Sequence, residues 1–218
     1  MQGDLEAALF VHTGVVDTFV AGRTDKGVHA AGQVVSFSTD DDIDRDRVMR
    51  SLNSQLSPEI AIQVLEPAAD GFHARFSATG RSYRYLVLAR SAPDPFLART
   101  SWHCPQPLDI DAMNEAAVYF AGEQDFASLC RKAGDASTVR KVRTALWAEL
   151  EEGLLEYRVE ASSFCHQMVR SMVSVSIDVG RRRIAAAQVP AILAARDRNA
   201  ARGAAPPHGL TLVSVSYD

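Results

Sequence analysis

The segment from Arg143 to Ala161 reads as a β-hairpin turning at Glu151-Glu152-Gly153, and in its second arm Leu155, Tyr157 and Val159 face one way while Glu156, Arg158 and Glu160 face the other. A period of two commits this stretch to an antiparallel sheet with one buried face. Arg81 to Leu88 alternates in the same way, placing Tyr83, Tyr85 and Val87 on one face and Arg84, Leu86 and Leu88 on the other. Gln33 to Phe37 reads as a short strand, Ile60, Ile62 and Val64 alternate in an extended run, and Leu210 to Tyr217 is an apolar closing strand.

Helices fit between these strands. Val48, Met49, Leu52 and Leu56 recur at helical spacing before Ser57-Pro58, and Met113, Ala116, Ala117 and Phe120 do so before Gly122. A third stripe, Met168, Met172, Val175 and Val179 with Val169 and Val173 beside it, opposes Gln167, Arg170, Ser171, Ser174 and Asp178, and Gly180 closes it. The order predicts an α+β protein of two halves with mainly antiparallel sheets, residues 1–76 and 77–218, with the weakest contact between Asp70 and Thr79.

At 218 residues, 47% of them hydrophobic and 23% charged, the chain can bury a core without metal or disulfide staples. No apolar run reaches the ~20 residues of a membrane span, because Gln188 and Pro190 break the Ala-rich stretch Ala185–Ala195. Asp4 and Glu6 stand where a signal peptide carries positive charge, so a cytoplasmic location is expected. Cys104, Cys130 and Cys165 form no CxxC pair and are expected as plain thiols, and the six histidines show no zinc-binding spacing, so no metal is expected. The net charge of −4 argues mildly against a nucleic-acid partner, but its distribution is uneven. Arg131, Lys132, Arg140, Lys141 and Arg143 face a single acid, Asp135, in their stretch; Arg181-Arg182-Arg183 forms a second basic run, and acid gathers at Asp40–Asp46 and Glu149–Glu152.

The densest chemistry lies in Ala21-Gly22-Arg23-Thr24-Asp25-Lys26-Gly27-Val28-His29-Ala30. Glycines on both sides allow a loop that presents Asp25 to a bound partner, although an Asx-turn capped by the same carboxylate is the plainer reading. A phosphate-binding P-loop is excluded, since Lys26 precedes the second glycine.

GRTDKGVHA followed by Gly32-Gln33-Val34 resembles the signature of the bacterial tRNA pseudouridine synthase A family. Further segments resemble that family in order: Leu52-Asn53 to Pro58-Glu59-Ile60, Phe72-His73-Ala74-Arg75-Phe76-Ser77-Ala78, Arg81-Ser82-Tyr83-Arg84-Tyr85, Asp125-Phe126, Ser163-Phe164 with Met168-Val169-Arg170-Ser171-Met172-Val173, and Gly209-Leu210. The resemblance implies two related halves meeting at a central catalytic cleft, and isomerisation of uridine to pseudouridine at positions 38, 39 and 40 of the tRNA anticodon stem-loop. It implies no cofactor or metal, and a homodimer. Asp25 matches the catalytic aspartate, and a free aspartate is already ionised at pH 7. Tyr83 matches the aromatic residue against the target base, Arg170 the arginine that pairs with the aspartate, and Val169 the apolar residue beside it. Arg23 matches the arginine that helps displace the nucleotide from its stack. Arg131, Lys132, Arg140 and Lys141 are the candidates for the tRNA backbone, His29 is expected to be structural, and His73 and Arg75 to shape the cleft or bind phosphate. The competing readings are a non-catalytic tRNA-binding or tRNA-folding protein, and a hydrolase using Asp25 and His29 as acid and base.

The family opens with a strand carrying a Tyr-Asp-Gly-Thr-like segment and then Gly-Trp-Gln, before a helix matched here by Gln2 to Phe10. The sequence starts at that helix, so the resemblance implies a sheet one strand short, with an exposed edge, poor turnover and a tendency to associate. Ser174 stands where the family has glycine.

Overall fold

The computed structural model of the chain describes residues 1–14, 17–39, 43–131, 134 and 136–217. Along the chain these form α1 (Gln2–Thr13), β1 (Phe19–Val20), β2 (His29–Ala30), β3 (Val35–Ser36), α2 (Arg45–Leu56), β4 (Ala78–Leu88), β5 (Trp102–His103) and α3 (Ile110–Val118). There follow β6 (Gly122–Asp125), β7 (Val139–Glu151), β8 (Leu154–Ala161), α4 (Met168–Gly180), α5 (Val189–Ala194) and β9 (Leu210–Tyr217). They fall into two compact units: Met1–Arg23 with Val34–Ala78, and Thr24–Gln33 with Thr79–Asp218.

In the first unit α1 and α2 close a small core of Leu5, Ala8, Leu9, Val48, Leu52 and Leu56. Gly14 ends α1 in the left-handed region, its N–H returning to the Phe10 carbonyl at 3.0 Å. Asp44 starts α2 by accepting from the Arg47 N–H, so this acid serves as a helix cap, while Asp40, Asp41 and Asp42 of the same run lie outside the described residues. β1 and β3 pair antiparallel, Phe19 opposite Ser36. The alternating run at Ile60–Val64 is extended but belongs to no described ladder. Asn53 occupies the ladder's place: its amide donates to the Ile62 carbonyl at 2.9 Å and its oxygen accepts from the Ile62 N–H at 2.6 Å. Ile60 and Ile62 still turn inward against the core.

The second unit is a seven-stranded sheet in the order β2-β9-β4-β8-β7-β6, with β5 also on β4. The β4–β8, β7–β8 and β6–β7 pairs are antiparallel, and the short β2–β9 and β4–β5 pairs are parallel, which gives the mainly antiparallel α+β architecture expected. Tyr85, Val87, Trp147, Tyr157 and Val159 form the sheet side of the core; Met113 and Phe120 from the α3 region and Met168, Met172 and Val173 of α4 pack with them. The α4 stripe is wider than its sequence predicts, because α3 and the turns around Ala127–Leu129 and Arg198–Ala201 also contact the helix. Ser171, read as part of a polar face, is therefore fully buried.

The expectation of plain thiols is corrected for two cysteines. Cys130 and Cys165 are joined by a disulfide across 35 positions, with Cα atoms 5.6 Å apart, and Cys104 alone remains a buried free thiol. Cysteine spacing carries no sign of this, because the pairing depends on where the Ala127–Leu129 turn ends relative to the loop before α4.

Candidate active site

Residues 24–33 hold Asp25 by short-range bonds and by the sheet. The Val28 N–H closes a turn on the Asp25 carbonyl at 3.0 Å, and Gly27 stands at φ 89°, a conformation that favours glycine. β2 then runs parallel to β9, His29 opposite Thr211 and Ala30 opposite Leu212, and the Ala31 N–H continues to the Leu212 carbonyl at 2.8 Å. At the far end, Gly32 lies so close to β9 that a Cβ there collides with the Val213 carbonyl oxygen and sits 3.2 Å from Ser214 Cα. These are backbone atoms and cannot swing aside. Gly32→Ala is expected to destabilise the protein by about 1–3 kcal/mol, read as a lowered midpoint in thermal or denaturant unfolding.

The opposite wall is the start of α4. Arg170, in its first turn, donates from Nη1 to Asp25 Oδ2 at 2.5 Å and from Nε to the Ala205 carbonyl at 2.6 Å. The Ala205 N–H returns to the Arg170 carbonyl at 3.0 Å, so the guanidinium is fixed at its base as well as its tip. His166 Nε2 lies 2.9 Å from Asp25 Oδ1. Each carboxylate oxygen thus has its own nitrogen partner. Sequence reasoning missed His166; its signal was its place four residues before Arg170.

Tyr83 sits on β4 opposite Val159 of β8, only 8% exposed, with its ring edge-on to Phe164 at 5.2 Å. Burial pushes its phenol up to about 12, the Asp25 charge adding to the rise and Arg81 opposing it. Burial also raises Tyr85, whose hydroxyl donates to the Pro206 carbonyl at 2.8 Å, and Tyr157. Tyr83 is therefore a neutral phenol across the physiological range. A folded-state value above the unfolded one means that the stabilisation is complete below pH 10 and is lost as pH rises from 10 towards 12. Stability is expected to fall by about 1.4 kcal/mol per pH unit for each such tyrosine in that window. Unfolding midpoints measured between pH 9 and 11.5, with tyrosinate absorbance followed alongside, check it.

The remaining candidates differ in burial and partners. Val169 is 4% exposed and part of the core beside Arg170. Arg23 is exposed and belongs to the first unit. Arg131 is exposed, with its backbone N–H on the His166 carbonyl at 2.9 Å, and Lys141 is exposed on β7. Arg140 turns its guanidinium onto the Ser137 and Val139 carbonyls at 2.8 and 2.6 Å, and burial lowers its pKa. Lys132 and Asp135 lie outside the described residues. A further arginine, Arg198, donates to Gln167 Oε1 at 2.5 Å; burial lowers its pKa first, then the charges of Arg131 and Arg170, while Asp25 acts in the opposite sense.

His29 bonds the Arg99 carbonyl at 2.9 Å, whereas the imidazole beside Asp25 is that of His166. His73 accepts the Arg75 and Phe76 N–H groups on Nδ1 at 3.1 and 3.3 Å, and Arg75 lies over the Phe76 ring. In the second basic run, Arg182 and Arg183 pair with Asp109 and Asp178, and Arg181 lies over Trp102. Among the described residues no cluster of three or more His, Cys, Asp or Glu side chains is arranged to hold a metal ion.

Residues 116–218 match the family described as tRNA pseudouridine synthase. The whole chain is 41% identical to tRNA pseudouridine synthase A of Bacillus velezensis, covering 90% of that protein. It is 42% identical to the protein of the same name from Moorella thermoacetica and 41% identical to that from Frankia casuarinae, again over its whole length, covering 89% and 80% of them.

Proposed function

From the premise that this chain belongs to the tRNA pseudouridine synthase A family, we propose that it isomerises uridine to pseudouridine in the anticodon stem-loop of tRNA, at positions 38, 39 and 40. The observation that carries the reading is the Asp25 carboxylate, held on one oxygen by Arg170 and on the other by His166. In this reaction the bond from N1 to C1′ breaks, the uracil turns while trapped, C5 joins C1′, and the proton lost from C5 is balanced by one gained at N1. The protein must supply a fixed carboxylate at the sugar and base, a surface on which the base can turn, and positive charge for the phosphates. Asp25 is the carboxylate. Tyr83 is the stacking surface, and its neutral phenol tolerates a rotating ring. Arg170 holds the Asp25 carboxylate in place, while Val169 packs into the core beside it. Arg23, two positions before Asp25, fills the space left by the flipped nucleotide.

The tRNA backbone is assigned to Arg131, Lys132, Arg140 and Lys141. Replacing Arg140 and Lys141 together by glutamine is expected to weaken binding and to reduce the slope of log affinity against log salt by about one unit per lost phosphate contact. Filter binding between 50 and 300 mM salt measures it, and an unchanged slope removes these residues from the interface. The same proposal makes the enzyme a cytoplasmic homodimer that uses no cofactor or metal; no helix among the described residues is long and apolar enough to cross a membrane.

Incubation with an unmodified tRNA transcript, nuclease digestion and nucleoside chromatography test the activity. Pseudouridine appearing at constant RNA mass is the expected result. Bound but unchanged tRNA favours a binding protein instead, and cleaved tRNA a hydrolase.

A further inference from the structure

We infer that His166 is a positioning residue for Asp25, a role that rests on the synthase reading above. The Arg170 contact alone fixes one carboxylate oxygen and leaves the group free to turn about its Cβ–Cγ bond. The His166 contact at 2.9 Å engages the other oxygen and removes that freedom. The imidazole side chain is 44% exposed and that of Arg170 13%, so the two partners differ in setting: the guanidinium holds Oδ2 from a largely buried position, and the imidazole holds Oδ1 from an exposed one.

The backbone around His166 is fixed by more ties than a loop of this length needs. Its carbonyl accepts the Arg131 N–H at 2.9 Å, Cys165 before it is bonded to Cys130, and the Met168 N–H returns to the Cys165 carbonyl at 3.1 Å. Gln167 after it stands at φ 65°, a left-handed conformation that non-glycine residues adopt only when their surroundings hold them there. Arg198 grips its side chain at 2.5 Å. Together these ties set the backbone from which the His166 ring meets Asp25. The imidazole reaches Asp25 from just outside α4 while Arg170 reaches it from the first turn, so a single rigid helix start orients both oxygens.

His166→Ala is expected to lower kcat about 10-fold or more with KM for tRNA within twofold of wild type, because the carboxylate is misdirected while the RNA surface is untouched. His166→Gln, whose amide N–H occupies the place of Nε2, is expected to recover most of the loss. Unfolding midpoints of both variants show whether either merely weakens the fold. An unchanged kcat in His166→Ala overturns the proposal, as does a rise in KM alone or a glutamine variant no better than alanine. A second readout does not depend on turnover. Crystal structures of the three proteins should show Asp25 in one rotamer in wild type and His166→Gln and in several in His166→Ala, and a single unchanged rotamer in all three also overturns it. Failure of the synthase reading looks different: wild type itself then forms no pseudouridine, and the rotamer comparison still decides whether His166 orients Asp25.

Discussion

Asp25→Asn is expected to abolish pseudouridine formation, with a loss on the order of 10⁴-fold or more, while tRNA affinity stays within a few-fold of wild type. The amide matches the carboxylate in size and keeps an oxygen for the Arg170 Nη1 donor at 2.5 Å, so folding and the mouth of the site are preserved. What disappears is the negative charge, together with any covalent or proton-transfer chemistry a carboxylate performs. Phosphate binding does not suffer, since the substitution makes a site bordered by Arg131, Arg170 and Arg198 no less positive. Single-turnover product formation and equilibrium binding, measured on the same preparation, separate the two quantities. Comparable activity in the variant removes Asp25 from the chemistry.

The second large effect is expected at Arg170→Lys, which keeps the charge and loses the shape. The guanidinium donates in two directions at once, to Asp25 Oδ2 and to the Ala205 carbonyl. A lysine ammonium at the end of an unbranched stem cannot hold both acceptors in that geometry. If it stays with Asp25 the Ala205 carbonyl loses its donor, and if it stays with Ala205 the carboxylate turns. Either way kcat/KM should fall about 100-fold, with a loss of stability near 1 kcal/mol. Full activity in the lysine variant means that charge alone suffices at this position and that the forked geometry is incidental.

Most elements were legible because their periodicity was undiluted. The hairpin of β7 and β8 turns where the two glutamates and Gly153 stand, and α4 ends at Gly180 as its stripe predicts. Ile60 to Val64 shows how far alternation reaches: Ile60 and Ile62 turn inward as it predicts, but Val64 is exposed and Leu65 packs in its place, because the segment is not a paired strand and its backbone is met by one asparagine. The site was legible through resemblance where residues stand in motifs. Asp25 and Arg170 are 145 positions apart, and no local pattern links them. His166 escaped because it lies just outside the helix, in a turn whose direction is set by Arg131, Arg198 and the disulfide, all contributed by chain remote from the motif or invisible in spacing.

The membership of residues 24–33 in the second unit has a consequence for the gene. A fragment opening at Thr79 encodes Tyr83, His166, Arg170 and nearly all of the larger core, and it contains the whole stretch that matches the synthase family, yet it lacks Asp25. Supplied as a separate ten-residue peptide, that segment would have to dock through a two-residue strand and a few hydrogen bonds, and would forfeit the freedom of a free molecule for little buried surface. Within the intact chain it is joined at both ends to the first unit, so its docking is intramolecular, with an effective concentration of about millimolar or higher. The first unit thereby acts as a covalent carrier for the carboxylate, whatever else it contributes, and a split of this protein into two complementing pieces should be cut before Thr24 or after Gln33 only at the expense of that concentration.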